Sequence, residues 1–331
     1  MINTLAFRNF PLIIFPLMLI IFFVISGCTS PQKKQNMLSS NIAELEFNTK
    51  AQLGEGAFWN HKSQELFWVD IEGKMLHIYN PKTKRNRSFV LPSRIGTVVP
   101  KNSDEAIVAL QDGVYIINTK TGDVSLLSDI ESDKPQNRFN DGKCDPSGRL
   151  WVGSMALNQE KNSGSLYMID ETGKTELKID SVTISNGIVW TSDQKTMFYI
   201  DTPTAKISAF DFDKNTGEIS NERVVVEVSD SLGFPDGMAI DEENMLWVGM
   251  WNGNAVIRFD PNTGEVISKI EVPAHNVTSC AFGGKNLDTL YITTASVDMT
   301  AEEHTAFPLA GSLFKAYPGV KGVKSSFFGK Q

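Results

Sequence analysis

One short pattern returns six times along this chain, and no other feature narrows the possible folds as far. The copies are L-G-E-G-A-F-W-N from Leu53, S-R-I-G-T-V-V-P from Ser93, F-N-D-G-K-C-D-P from Phe139, I-S-N-G-I-V-W-T from Ile184, F-P-D-G-M-A-I-D from Phe234 and V-T-S-C-A-F-G from Val277. Taking Gly56, Gly96, Gly142, Gly187, Gly237 and Ser279 as markers, the successive steps are 40, 46, 45, 50 and 42 residues. Each marker is followed by strand-length apolar runs, such as L-F-W-V-D at 66–70, R-L-W-V-G at 149–153 and M-F-Y-I-D at 197–201, and several copies close on a turn pair such as Thr121-Gly122, Thr216-Gly217 or Thr263-Gly264. A period of this length with several strands per copy is that of β-propeller blades of about four strands each. Two β-sandwiches would not set one tetrapeptide at such regular intervals. No segment sustains apolar positions at i, i+3, i+4 and i+7, so little helix is expected.

Six markers therefore predict an all-β, six-bladed β-propeller occupying residues 43–331 as one domain. The first copy has no strand ahead of its marker, whereas A-E-L-E-F at 43–47 alternates with period two. This strand is expected to complete the last blade beside V-K-S-S-F-F at 323–328, closing the ring and leaving no bare sheet edge.

Upstream of the domain, Arg8 is the one charge in residues 1–27, and the apolar run of residues 11–26 is short for a membrane span. With small residues after it, this reads as a lipoprotein signal peptide over residues 1–27. The sequence Ile25-Ser26-Gly27-Cys28 resembles a bacterial lipobox, which makes Cys28 the lipidation site and residues 28–42 a lipidated cysteine with a polar, flexible tether. An uncleaved anchor with Arg8 inside is the alternative, and it also puts the domain outside the cytoplasm. The expected location is extracytoplasmic, membrane-anchored through the lipid, on the periplasmic face of the outer membrane in a diderm cell. Cys144 and Cys280 then remain, either as a disulfide or as two buried thiols.

Charge excludes one class of partner. Lys plus Arg total 31 against 39 Asp plus Glu, for a net charge of −8, and the scattered run Lys82, Lys84, Arg85 and Arg87 is the longest basic cluster. No nucleic acid is expected, because such binding needs a basic stripe to replace phosphate counterions.

In a propeller the innermost strand of each blade lines the central channel, and polar residues of separate blades meet at one mouth. The residues before the six markers are Glu55, Ile95, Asp141, Asn186, Asp236 and Thr278. The three carboxylates in an apolar channel would repel and raise one another's pKa values unless a cation neutralises them. Oxygen donors without His or Cys select a hard ion, Ca²⁺ first and Mg²⁺ or Mn²⁺ next. The histidines, His61, His77, His275 and His304, avoid the marker positions, and no G-x-S-x-G, H-E-x-x-H, Walker or G-x-G-x-x-G segment occurs. His77 falls in a strand pattern, as a packed or surface residue.

The motifs L-G-E-G-A-F-W at Leu53, N-R-F-N-D-G-K-C-D-P-S-G-R-L-W-V-G-S-M at Asn137, I-S-N-G-I-V-W at Ile184, F-P-D-G-M-A-I-D at Phe234 and A-F-G-G-K-N-L-D-T-L-Y-I-T at Ala281 resemble those of the gluconolactonase and regucalcin (senescence marker protein) family of six-bladed propellers. The resemblance implies one divalent cation, often Ca²⁺ or Zn²⁺, held by Glu55, Asn186 and Asp236. It also implies substrate contacts from Arg138 and Asn140, so that Asn140 rather than Asp141 sits beside the metal and Asp141 becomes a supporting residue or base. Two departures stand out: Ala57 replaces the family's usual proline, and the loop A-L-N-Q-E-K-N-S-G-S at 156–165, with Glu160 its one acid, belongs to this chain alone.

The activity implied is hydrolysis of sugar-acid lactones, with some relatives acting on organophosphates. The expected protein is thus a metal-dependent hydrolase, a lactonase and so a carboxylic ester hydrolase, opening a gluconolactone-like ring with a metal-activated water and Asp236 or Asp141 as catalytic base. An esterase or phosphotriesterase at the same metal is the nearest alternative, and a sugar- or protein-binding propeller with a structural ion is the alternative outside enzymes. The partners expected are a small-molecule lactone or ester and the membrane, with the domain itself monomeric.

Overall fold

The computed structural model of the protein describes residues 40–330. The lipobox, Cys28 and the signal peptide lie outside the described residues, as does most of the tether.

Six sheets form the ring. Their innermost strands are Gly54–Asn60, Ile95–Pro100, Asn137–Cys144, Ser185–Trp190, Phe234–Ile240 and Asn276–Gly283, which define blades 1 to 6 in chain order. Each packs on the innermost strand of the next blade, and the last returns to the first. These strands are apolar and small-residue rich because both faces are covered: in blades 1, 2, 4 and 6 every residue of them is buried. The outermost strands are polar and wet, as in Arg85–Val90 (R-N-R-S-F-V) of blade 1. Glycine marks the inner strands because neighbouring strands approach too closely there for a side chain. A Cβ on Gly96 would lie 2.5 Å from the Phe139 carbonyl, and one on Gly237 would lie 2.6 Å from Ser279 Oγ.

Every inner strand bulges at its marker. In blade 3, Phe139 pairs with Ser154 and Gly142 with Val152, so two residues oppose one; blades 1, 4, 5 and 6 repeat this count and blade 2 inserts one residue after Ile95. A bulge adds local twist and re-aims side chains, here toward one end of the channel.

The N-terminal strand closes the ring, with a different partner from the one expected. Glu44–Phe47 runs antiparallel to Leu313–Ala316, as the fourth strand of blade 6. Residues 323–328 form no blade strand. Phe327 and Phe328 are fully buried, and the tail containing them crosses the ring at the end opposite the bulged residues. It bridges Asp241 to Gly322 and Cys144 to Ser326, and the amides of Phe328 and Gly329 donate to Pro100 O and Gly148 O at 2.9 and 2.8 Å. Burial of two aromatic rings holds it there, where a strand position would have left one ring in water.

The tether also ends earlier than expected: Ser40–Ile42 is a strand, parallel to Val266–Glu271 on the outer edge of blade 5. One short helix, Ala301–Ala306, caps blade 6 behind a Thr300/Glu303 capping box. Cys144 and Cys280 are both buried free thiols. His77 is buried, stacked on Trp68 at 4.1 Å, and burial pushes its pKa down to about 4.

Candidate active site and cation centre

A cavity of about 690 Å³ opens at the bulged end of the channel, and Glu55, Arg138, Asn140, Asn186 and Asp236 all line it. They come from blades 1, 3, 4 and 5, so distant stretches of chain meet at one place. Each is buried.

The bulges explain which residues meet. Asn140, Asn186 and Asp236 are each the first of the two residues that oppose one in their strand, Thr278 is their counterpart in blade 6, and Glu55 is the paired residue just before the blade 1 bulge. Alignment on the marker glycine had placed Asp141 in that rank. In blade 3 the glycine falls one position late, and Asp141 is the second bulge residue, absent from the cavity wall. One Asp141 oxygen accepts from the Gly142 amide at 2.7 Å, while the other is buried without a partner. Thr278 donates to Gly54 O and fastens blade 6 to blade 1.

Hydrogen bonds order the cluster. Arg138 Nη1 donates to Asn140 Oδ1 at 2.5 Å and to Phe139 O at 3.1 Å. Asn140 Nδ2 donates to Ser185 O at 2.7 Å and to Asn186 Oδ1 at 3.2 Å. Asn186 Nδ2 in turn donates to Thr202 Oγ1, whose hydroxyl donates to Pro235 O, both at 2.8 Å. The Asn186 oxygen is thereby turned to the cavity.

Electrostatically the site is unsettled on its own. Burial raises the Glu55 pKa to about 7, helped by the negative charge of Asp141. Burial, then Glu55, raises Asp236 well above the ordinary carboxylate range. Asp236 Oδ1 is buried with no hydrogen-bond partner. Arg138 stays charged although burial lowers its pKa to about 10. Among the described residues no three His, Cys, Asp or Glu side chains group as an ion site. Here the donors are two carboxylates and an amide oxygen, and an acceptor-only carboxylate left unpaired in the interior is what a hard cation satisfies.

Three contributors escaped sequence reasoning. Thr202 orients Asn186, as above. Asp70 accepts from the amides of Gln52 and Leu53, both at 2.9 Å, and Asp201 from those of Thr183 and Ile184 at 3.1 and 2.8 Å. These two aspartates end the runs L-F-W-V-D and M-F-Y-I-D, and they pin the approaches to Glu55 and Asn186. Their repetition at the same place in two copies was the available signal. In the 156–165 loop, Leu157 and Gln159 reach the cavity and Glu160 does not.

The fold and this cavity define a class: six-bladed propellers with an oxygen-donor centre at one mouth of the channel. A family model described as the SMP-30/Gluconolactonase/LRE-like region matches residues 53–296, and the chain belongs to that family. A Bacillus subtilis (strain 168) protein provisionally named sugar lactone lactonase YvrE is 41% identical over 274 residues, covering 83% of this chain and 94% of its own. Regucalcin of Xenopus laevis is 36% identical over 297 residues, covering 88% and 99%. Among solved structures, a calcium-binding regucalcin from Agrobacterium tumefaciens matches with a TM-score of 0.83 and 29% identity, over 88% of this chain and 99% of that one.

Proposed function

We propose that the protein is a divalent-cation-dependent lactonase that opens a sugar-acid-like lactone. The observation that carries this reading is the buried Asp236 carboxyl, with its Oδ1 unpartnered, next to Glu55 and a charged Arg138. Glu55, Asn186 and Asp236 would hold the cation, with Ca²⁺ favoured by the all-oxygen donor set and by the similarity to a calcium-binding regucalcin. Bound there, such an ion supplies Lewis-acid polarisation of the lactone carbonyl and a more acidic water.

The chain's own groups do the rest. Nη1 of Arg138 is spent on Phe139 and Asn140, so the remaining face of the guanidinium is turned to substrate oxygens. Asn140 is held by hydrogen bonds to three partners, Arg138, Ser185 and Asn186, which fix its amide in place. Asp236 is the proton acceptor: it lines the cavity, and its Oδ1 is buried without a hydrogen-bond partner. The water oxygen joins the carbonyl carbon, the acyl bond to the ring oxygen breaks, and the ring oxygen takes a proton. The product is a hydroxy acid that ionises at neutral pH.

That released proton is the readout. A pH-indicator assay over aldonolactones, simple esters and a phosphotriester, with and without chelator, should show lactone hydrolysis that chelation abolishes. Glu55→Gln should lose Ca²⁺ binding by calorimetry and at least about 100-fold in turnover. Full activity of Glu55→Gln after exhaustive chelation would refute the scheme.

A further inference from the structure

The cavity wall mixes charged and apolar groups. Blades 1 to 3 supply most of its charge, a charged arc of Glu55, Glu72, Arg94 and Arg138 with Asn140 beside them, and also Leu53 and Met155. Blades 4 to 6 supply the apolar Ile184, Pro203, Phe234, Trp251 and Val297 beside the polar groups there, and Leu157 of blade 3 adds to them. Phe234 and Leu157 are 44% and 41% exposed, a large amount of apolar surface to hold at a channel mouth. Single exposed apolar residues are ordinary, whereas six converging on one concave surface mark a place where apolar matter binds.

Three polar groups of the rim are engaged with other protein groups. Arg94 Nε lies 2.9 and 3.0 Å from the two Glu72 oxygens, and the Thr202 hydroxyl is committed to Pro235. Among the apolar residues of blades 4 to 6 stand Asn186, Asp236, Asn252 and Asp298 as further polar side chains. A ligand hydroxylated all round would turn hydroxyls against the side chains of Phe234 and Ile184, which neither accept nor donate, and an unmade hydrogen bond is costly. A single small ring would also leave much of the roughly 690 Å³ unfilled.

Resting on the lactonase reading of this same site, we propose that the preferred substrate is a lactone bearing an apolar arm, with its ring at the charged arc and its arm against Phe234 and Trp251. The arm lies outside the reacting bond, so its burial raises kcat/KM through binding.

The test uses the full-length chain with Ca²⁺ and γ-lactones carrying straight alkyl arms of zero to eight carbons, beside an aldonolactone. The matching lactams, which lack the labile ester, are titrated by calorimetry. Each methylene that enters the rim should raise kcat/KM, and lower the lactam Kd, by about threefold. Phe234→Ser should cut the ratio of eight-carbon to arm-free substrate at least tenfold, whereas Val90→Ser, at an exposed apolar residue on the outermost strand of blade 1, should leave that ratio unchanged. Turnover that is flat or falling with arm length, with the aldonolactone best, overturns the apolar-arm assignment and leaves the lactonase standing. No turnover of any lactone, with lactam binding that still tightens along the series, removes the lactonase and keeps the apolar half-site. Absence of both slopes removes both.

Discussion

An asparagine amide can present its oxygen or its nitrogen, and at Asn186 a neighbouring hydroxyl makes the choice. Because Thr202 gives its proton to Pro235 O, its oxygen is left to accept, which takes the Asn186 nitrogen and turns the Asn186 oxygen to the cavity, where Asn140 Nδ2 also donates to it. Groups that orient a metal's ligands typically govern affinity by 10- to 100-fold. Thr202→Val should therefore weaken Ca²⁺ binding by about that factor while leaving the melting temperature of the calcium-free protein within a few degrees, and Thr202→Ser should restore it; calorimetry and thermal melts would show whether it does. Glu55, Asn186 and Asp236 were legible in the sequence because each stands before a repeated glycine. Thr202 was not, since its role depends on a contact with the next blade that no spacing reveals. Asp141 shows the limit from the other side: it has the right chemistry before the right glycine, and one extra backbone residue places it off the wall.

At the scale of the strand, the bulge is the device that converts a repeat into a site. The sequence marks it by glycines that crowd the hub, yet the glycine's place relative to the extra residue shifts between blades 3 and 4, so the alignment is good to one residue and no better. One residue in a strand is a change of face. The aspartates that close the second strands hold this geometry. Asp201 satisfies two adjacent backbone amides at the approach to Asn186, and Asp201→Ala would leave both without acceptors. The expected cost is about 1–3 kcal/mol in urea unfolding, with a matching loss of Ca²⁺ affinity, and unchanged affinity would show that the anchor serves stability alone. The apolar runs read correctly as blade strands throughout. The tail at 323–328 misled because Phe327 and Phe328 look like strand residues, whereas their burial is supplied by the core beneath blades 1 to 3.

For the molecule as a whole, the count of six blades and closure by a strand from the start of the domain were readable from the period of the repeat and from period-two alternation. The partner of that strand was not, because the aromatic pair Phe327 and Phe328 gave the tail the look of a strand. Location is a separate matter, and we propose from the lipobox that Cys28 carries the lipid that tethers the propeller outside the cytoplasm. Cys28→Ala should abolish palmitate labelling and release the protein from the membrane fraction with its lactonase activity intact; a labelled Cys28→Ala protein would end the proposal. The closing strand has one more effect, on the order of events during synthesis. Glu44–Phe47 leaves the ribosome among the first parts of the domain, yet its hydrogen-bonding partner, Leu313–Ala316, leaves among the last. Five blades can form on a nascent chain while the sixth waits, its unpaired edges open to other copies or to chaperones, so a stalled or truncated product is the species most prone to aggregate.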